Sequence, residues 1–207
     1  MQANLTVRNL SCQRNRRVLF RSLNFTLNIG DALLITGPNG SGKSSLLRLL
    51  AGLLRPAEGE LVWGDQPVMA DLPKYQTQIH WQGHDTAVKP ELSVREMLGY
   101  WQALMGIPQR NDTIGNVLTQ LGLDTLINQP IRKLSAGQKR RLGLARHLLE
   151  FRPLWLLDEP LTALDAAHQT FLGDMVAAQR AAGGIVIIAS HQMVTWPVLQ
   201  TISLEGA

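Results

Sequence analysis

Apolar and polar positions change period along the chain, and each change marks an element. Over the first thirty residues they alternate as antiparallel strands do: Leu5, Val7 and Leu10, then Val18-Leu19-Phe20, then Leu23, Phe25, Leu27 and Ile29. Gly30-Asp31 marks a turn. Ala32-Leu33-Leu34-Ile35-Thr36 follows as an unbroken apolar run, short enough to be a strand buried on both faces. Gly42 to Leu53 has a helical pattern that stops at Gly52 and Pro56. Gly59 to Gln66 has the form of a hairpin and Gln78 to Gln82 that of a short strand. From Ser93 to about Glu150 the period turns helical, and Ser93 with Glu96 forms a capping-box signature ahead of Met97, Leu98 and Tyr100. Leu154 to Leu157 and Ile185 to Ala189 are two further buried strands, separated by a helix from about Leu164 to Ala182. Continuous apolar strands joined by a helix predict a parallel sheet. The expected fold is therefore α/β, one domain over residues 1–207 with a helical subdomain at about 92–150.

Composition narrows the class. The 207 residues are 45% hydrophobic, enough for a sizeable core, and only 17% charged against the roughly 25% usual for soluble domains. No run approaches the ~18 apolar residues of a membrane-spanning helix. The opening Asn4-Leu5-Thr6-Val7 lacks a charged region followed by an apolar core, so no secretory signal is expected. A single cysteine, Cys12, excludes an internal disulfide and a cysteine-built metal site, and fits a reducing cytosol. The net charge of +4 favours anionic partners: nucleotides, nucleic acid or an anionic leaflet.

Gly37-Pro38-Asn39-Gly40-Ser41-Gly42-Lys43-Ser44 matches G-x-x-x-x-G-K-[ST] in full, between a predicted buried strand and a predicted helix. Glycines let successive N–H groups curl around an anion at a helix N-terminus. Lys43 then supplies a mobile charge to the β- and γ-phosphates, and the Ser44 hydroxyl ligates Mg²⁺. A chance match in a chain of this length is on the order of 1%. A second group of acids ends another buried strand: Leu154-Trp155-Leu156-Leu157-Asp158-Glu159. Such a pair alone is more often a turn or helix cap. Beside a full P-loop, Asp158 is placed to hold Mg²⁺ and Glu159 to deprotonate an attacking water. His191 follows the strand Ile185 to Ala189 at the same sheet edge, within reach of the γ-phosphate and the water-activating group. Leu134-Ser135-Ala136-Gly137-Gln138 opens a basic helix through Lys139-Arg140-Arg141 and presents free N–H groups as a second anion site. Two phosphate cradles serve one nucleotide if a partner domain's nucleotide is clamped between them.

Taken in this order, these motifs resemble the ATP-binding subunit of an ABC transporter across essentially the whole chain. Gly37 to Ser44 matches Walker A, Leu154 to Glu159 Walker B and Leu134 to Gln138 the LSGGQ signature. Ala163-Leu164-Asp165 is similar to the D-loop and His191 to the switch histidine. The resemblance implies a P-loop NTPase core with an antiparallel β-subdomain and a helical subdomain. It also implies cofactors ATP and Mg²⁺, with Ser45 joining the P-loop contacts. A head-to-tail dimer would place Ser135, Gly137 and Gln138 of one subunit over the other's P-loop. Its closure on ATP would drive integral membrane subunits.

Three departures stand out. The signature carries Ala136 where the pattern has glycine. Counting back from Leu92-Ser93-Val94 places the Q-loop residue, expected near the metal, on His84, while Gln82 lies two residues earlier; either fits that role. No aromatic precedes Val18-Leu19 to stack on adenine; Arg14 falls near that position and offers a guanidinium plane, or else Arg14, Arg16 and Arg17 form a solvated basic loop. With Trp81-Gln82-Gly83-His84 and Ser190-His191-Gln192, the chain further resembles the ATPase of the haem exporter of cytochrome c maturation. That resemblance implies a peripheral protein at the cytoplasmic face of the bacterial inner membrane, acting in release of haem, itself handled by other subunits, from a periplasmic chaperone. No nucleic-acid partner is expected, since the chain has one ATPase domain and neither a basic tail nor an aromatic stacking platform. An ATPase of another ABC exporter, a soluble ABC-type ATPase acting on nucleic acid or an assembly scaffold, and a binding subunit without turnover are the competing classes. Tyr100, Trp101 and Met105 either face a groove for the membrane partner or pack inside the helical subdomain.

Overall fold

The computed structural model describes residues 4–14, 17–83, 85–108, 110–192, 194, 196–197 and 200–204. They divide into two compact units, the first of residues 1–83, 152–161 and 171–207 and the second of 84–151 and 162–170.

The first unit holds two sheets. Strands β1 (Leu5–Arg14), β2 (Arg17–Leu27), β4 (Glu58–Trp63) and β5 (Gln66–Pro67) form an antiparallel sheet in the order β2-β1-β4-β5. The runs expected as separate strands at Val18 to Phe20 and Leu23 to Ile29 are one strand, β2, which ends at Leu27. Register shifts against β1 at Val7/Leu10, Leu10/Cys12 and Cys12/Gln13 break the strict alternation. Strands β3 (Ala32–Thr36), β6 (Ile79–Gln82), β7 (Leu154–Asp158), β8 (Ile185–Ala189) and β9 (Gln200–Ser203) form a parallel sheet in the order β6-β7-β8-β3-β9. Both β7 and β8 are buried along their whole length, which is why they read as unbroken apolar runs.

Helix α1 (Lys43–Leu50) contributes Leu46, Leu47, Leu49 and Leu50 to one apolar cluster with Leu5 and Leu27 of the first sheet and Leu156 and Ile187 of the second. The expected extension of α1 to Leu53 is instead a left-handed turn at Gly52. A short helix, α2 (Leu72–Gln76), sits beside that turn, and the buried Tyr75 hydroxyl donates to the Leu50 carbonyl at 2.6 Å. Burial in this apolar setting pushes the Tyr75 phenol well above its ordinary range.

The second unit contains α3 (Val94–Met105), α4 (Asn111–Gln120) and α5 (Ala136–Leu149), within the stretch expected to be helical. Ser93 and Glu96 close the predicted capping box at the start of α3. Trp101 is buried beneath the Arg146 guanidinium, 5.3 Å from the ring centroid, so it packs inside the subdomain and is not part of an open groove. Tyr100 stays exposed and takes the Lys89 ammonium over its ring at 4.0 Å. Arg141 donates to the Leu121 carbonyl at 2.7 Å, so this cation of the basic helix caps the end of α4. Helix α6 (Ala166–Ala181) begins two residues later than its apolar pattern suggests, because Asp165 accepts the backbone N–H of His168 and ends the loop before it.

The cap at Asp165 and that at Glu96 share a linkage to pH. His168 donates to Asp165 from its backbone, with a ring nitrogen 2.6 Å away, and Ser93 does the same for Glu96; both carboxyls are held below the usual carboxylate range. A carboxyl held low contributes its full stabilisation above its unfolded value, near pH 4, and loses it as pH falls through the folded value. Asp165→Asn should therefore lower the melting temperature at pH 7, and the gap to the wild type should close as melts are taken further below about pH 4.

Candidate active site

The parallel sheet delivers three loops to one edge. Strand β3 ends in residues 37–42, where Gly37, Gly40 and Gly42 have φ of 137°, 82° and 106°. Gly37 has no room for a side chain: a Cβ there would lie 2.3 Å from the Leu204 carbonyl oxygen. Gly42 caps α1, and its open side faces Leu19 and Phe20 of β2. Pro38, Asn39 and Gly40 are exposed, while Ser41 and Ser45 are buried and Ser44 half-buried. The buried Lys43 bends back into the loop, donating to the carbonyls of Gly37 at 2.8 Å and Pro38 at 3.2 Å.

From β7 come Asp158, buried as the strand's last residue, and Glu159, whose backbone takes a left-handed φ of 48°. The Glu159 N–H donates to the Ala189 carbonyl of β8 at 2.8 Å, which fixes the turn. Its carboxylate then lies between an ammonium and an imidazole: Oε1 is 3.9 Å from Lys43 Nζ, and Oε2 is 2.8 Å from the Nδ1 of His191, just beyond β8. Glu159 is 15% exposed against 52% for His191, so the carboxylate is sheltered and the imidazole stands at the rim. The fully buried Ser190 donates its N–H to Ile35, tying the His191 turn to β3. Lys43, Glu159 and His191 are thus one cluster made by residues from three strands' ends.

Strand β6 ends beside the acids, with Gln82 in register with Leu157. Gln82 is fully buried, and neither its amide nitrogen nor its oxygen has a hydrogen-bond partner among the described residues. His84 lies outside the described residues. Arg14 is exposed at the end of β1, opposite Arg17.

In the second unit Ser135 caps α5 by a full capping box: its hydroxyl accepts from Gln138 N, and Gln138 Oε1 accepts from Ser135 N at 2.8 Å. The Gln138 side chain is therefore engaged by the cap. Gly137 faces the Ala163 carbonyl closely, with a Cβ position 3.1 Å away, and Ala163 itself has φ of 63°. Ala136 is exposed, so its methyl group displaces nothing within the subdomain. A cleft of about 540 Å³ opens along α3, lined by Leu92, Arg95, Gly99, Tyr100, Ala103 and Ile114.

Sequence reasoning had no signal for Leu204 behind Gly37 or for Phe20 against Gly42. Both contacts join segments distant in the chain, and neither partner carries a motif.

Residues 20–162 match the family model described as ABC transporter. The cytochrome c biogenesis ATP-binding export protein CcmA of Rhodospirillum rubrum is 48% identical over 196 residues, covering 95% of this chain and 83% of that protein. The protein of the same name from Haemophilus influenzae is 42% identical over 205 residues, covering 99% and 97%. An ABC transporter ATP-binding protein from Pyrococcus furiosus has a TM-score of 0.85 at 25% identity, with 97% of each chain covered. With the P-loop, the strand-end carboxylates and the signature all in place, this chain belongs to the ATP-binding subunits of ABC transporters, within the group of cytochrome c biogenesis ATP-binding export proteins.

Proposed function

We propose that this chain hydrolyses ATP for a membrane export complex of cytochrome c biogenesis, and that hydrolysis drives release of haem from its periplasmic chaperone. The observation that carries the reading is the cluster of Lys43, Glu159 and His191 behind a complete P-loop, in a chain 48% identical to an export protein of that pathway.

In this reading the N–H groups of residues 37–45 and Lys43 bind the ATP phosphates. Lys43 leaves the Gly37 and Pro38 carbonyls to do so, and its departure also removes the ammonium that lies 3.9 Å from Glu159. Glu159 takes the proton of the attacking water. His191, hydrogen-bonded to Glu159, fixes the carboxylate and faces the γ-phosphate. The oxygen donors Ser44 and Asp158 suit Mg²⁺. No group of three or more His, Cys, Asp or Glu residues forms a metal cage among the described residues. When bound there, the cation would neutralise charge developing on the β- and γ-phosphates. His84, or the buried Gln82 amide, would complete that side.

A second ATPase subunit, most simply another copy of this chain, would bring Ser135, Gly137 and Gln138 to the γ-phosphate. The membrane subunits would dock on the α3 cleft, and no nucleic acid is involved. No helix among the described residues is long and apolar enough to cross a membrane, which is compatible with peripheral attachment at the cytoplasmic face of the inner membrane.

Tagging the chain, solubilising native membranes in mild detergent and identifying what co-purifies tests this directly. Integral membrane subunits together with haem-handling proteins are the expected result. Recovery only in the soluble fraction, with RNA, would overturn it. Tyr100→Glu should remove the membrane subunits from the same preparation, because the docked partner would have to bury the added carboxylate. Undiminished recovery would move the docking surface elsewhere.

A further inference from the structure

The ends of β3, β7 and β8 are pinned to one another as far as residue 190. The Glu159 N–H donates to the Ala189 carbonyl at 2.8 Å, and the Ser190 N–H donates to the Ile35 carbonyl at 3.0 Å. His191 is the first residue past this pinned backbone, and its side chain is 52% exposed, so packing alone does not fix its rotamer. Among the described residues its one hydrogen-bond partner is Glu159. The ring Nδ1 lies 2.8 Å from Oε2, and the backbone N–H reaches the same oxygen at 3.4 Å, near the outer limit of a hydrogen bond. One carboxylate at a solvent-open rim leaves an imidazole able to swing away unless the backbone beneath it is held.

Ser190 holds that backbone. Its side chain is fully buried, and its Oγ accepts the Gln192 N–H at 3.0 Å, which closes residues 190–192 into a small turn around His191. Both flanks of His191 are thereby fixed: Ser190 through Ile35, and Gln192 through the Ser190 hydroxyl. An alanine side chain would fit the same space but has no acceptor for the Gln192 N–H. We propose that Ser190 is a positioning residue for hydrolysis: its hydroxyl, through Gln192, sets the direction of the His191 ring and with it the orientation of the Glu159 carboxylate. The proposal rests on the roles given above to Glu159 and His191. Being fully buried, the hydroxyl acts through the residues beside it.

Steady-state ATP hydrolysis by the full chain in its membrane complex, for Ser190→Ala, His191→Ala and the double variant, tests this. Ser190→Ala should fold, because Gln192 is exposed and water can take its N–H. Its kcat is expected to fall about tenfold with KM unchanged, since a misdirected ring affects the chemical step and leaves the phosphate cradle intact. Counting rates per ATP-binding site removes any unfolded fraction from the comparison. His191→Ala should lose at least as much. In that background Ser190→Ala should lower kcat no further, because a residue acting through His191 has nothing left to direct. A general loosening of the end of β8 would instead multiply the two losses. That multiplication, or wild-type kcat in Ser190→Ala, would overturn the proposal. Wild-type turnover in His191→Ala would overturn the reading of His191 itself and the proposal with it, and it is distinct from the other outcomes because it shows in that variant alone.

Discussion

Replacing Glu159 by glutamine lowers ATP turnover by a factor of about 10²–10⁴ and leaves a folded protein that still binds ATP. The substitution keeps size and the oxygen that faces His191 Nδ1 at 2.8 Å, and it keeps the backbone N–H to Ala189 that holds the left-handed turn. What it removes is the one feature an amide cannot supply, a basic oxygen able to take a proton from water. It also removes the negative charge 3.9 Å from Lys43, which releases that ammonium toward the phosphates and should tighten ATP binding rather than weaken it. The two effects together distinguish chemistry from collapse. Phosphate release measured against ATP retention, with size-exclusion chromatography in ATP, should show a slow enzyme that accumulates as a nucleotide-bound dimer. Wild-type turnover would remove Glu159 from the role of base. Low turnover with weakened ATP binding would point to a structural role for its carboxylate.

The motifs of this site were legible because each is local. A P-loop is eight consecutive residues, and Asp158-Glu159 and Ser190-His191 each follow an apolar run that can only be a strand buried on both faces. The Ser93–Glu96 capping box was equally local, since its two hydrogen bonds span three residues. What the sequence concealed depends on register and on contacts between distant segments. β2 read as two fragments because its pairing with β1 slips at three places, and no periodicity survives a slip. Trp101 and Tyr100 are adjacent on α3 and similar in character, yet one is buried under Arg146 and the other exposed. Only the direction of the helix toward its neighbours separates them. The burial of Gln82 was hidden likewise: a polar residue closing a short strand reads as a surface residue until β7 is placed beside it.

Gly37→Ala is expected to cost about 3 kcal/mol or more and to weaken ATP binding at least tenfold, a larger effect than its one added methyl group suggests. Two constraints meet at this residue. Its φ of 137° is one that a residue with a Cβ adopts only under strain, and the Cβ itself would fall 2.3 Å from the Leu204 carbonyl oxygen. That carbonyl cannot retreat cheaply, because the Leu204 N–H donates to Thr36 at 2.9 Å and β9 is paired to β3 through Leu33, Leu34, Ile35 and Thr36. Relief must come from the loop, and moving the loop displaces the Gly37 carbonyl that positions Lys43. Gly59 provides the comparison. It has a φ of 86°, and its Cβ would sit 2.4 Å from the carbonyls of Arg8 and Asn9 where β1 and β4 slip in register, remote from the P-loop in sequence and in the sheet that lacks it. Gly59→Ala should lose similar stability, each melting roughly 6–12 °C lower, yet bind ATP as the wild type does once the folded fraction is counted. Thermal melts with isothermal titration of both variants decide the matter. If Gly37→Ala melts within about a degree of the wild type, β9 is not a rigid backing for the loop. If both variants lose ATP equally, the loss is general unfolding, and the grip of β9 on the phosphate loop has no part in binding.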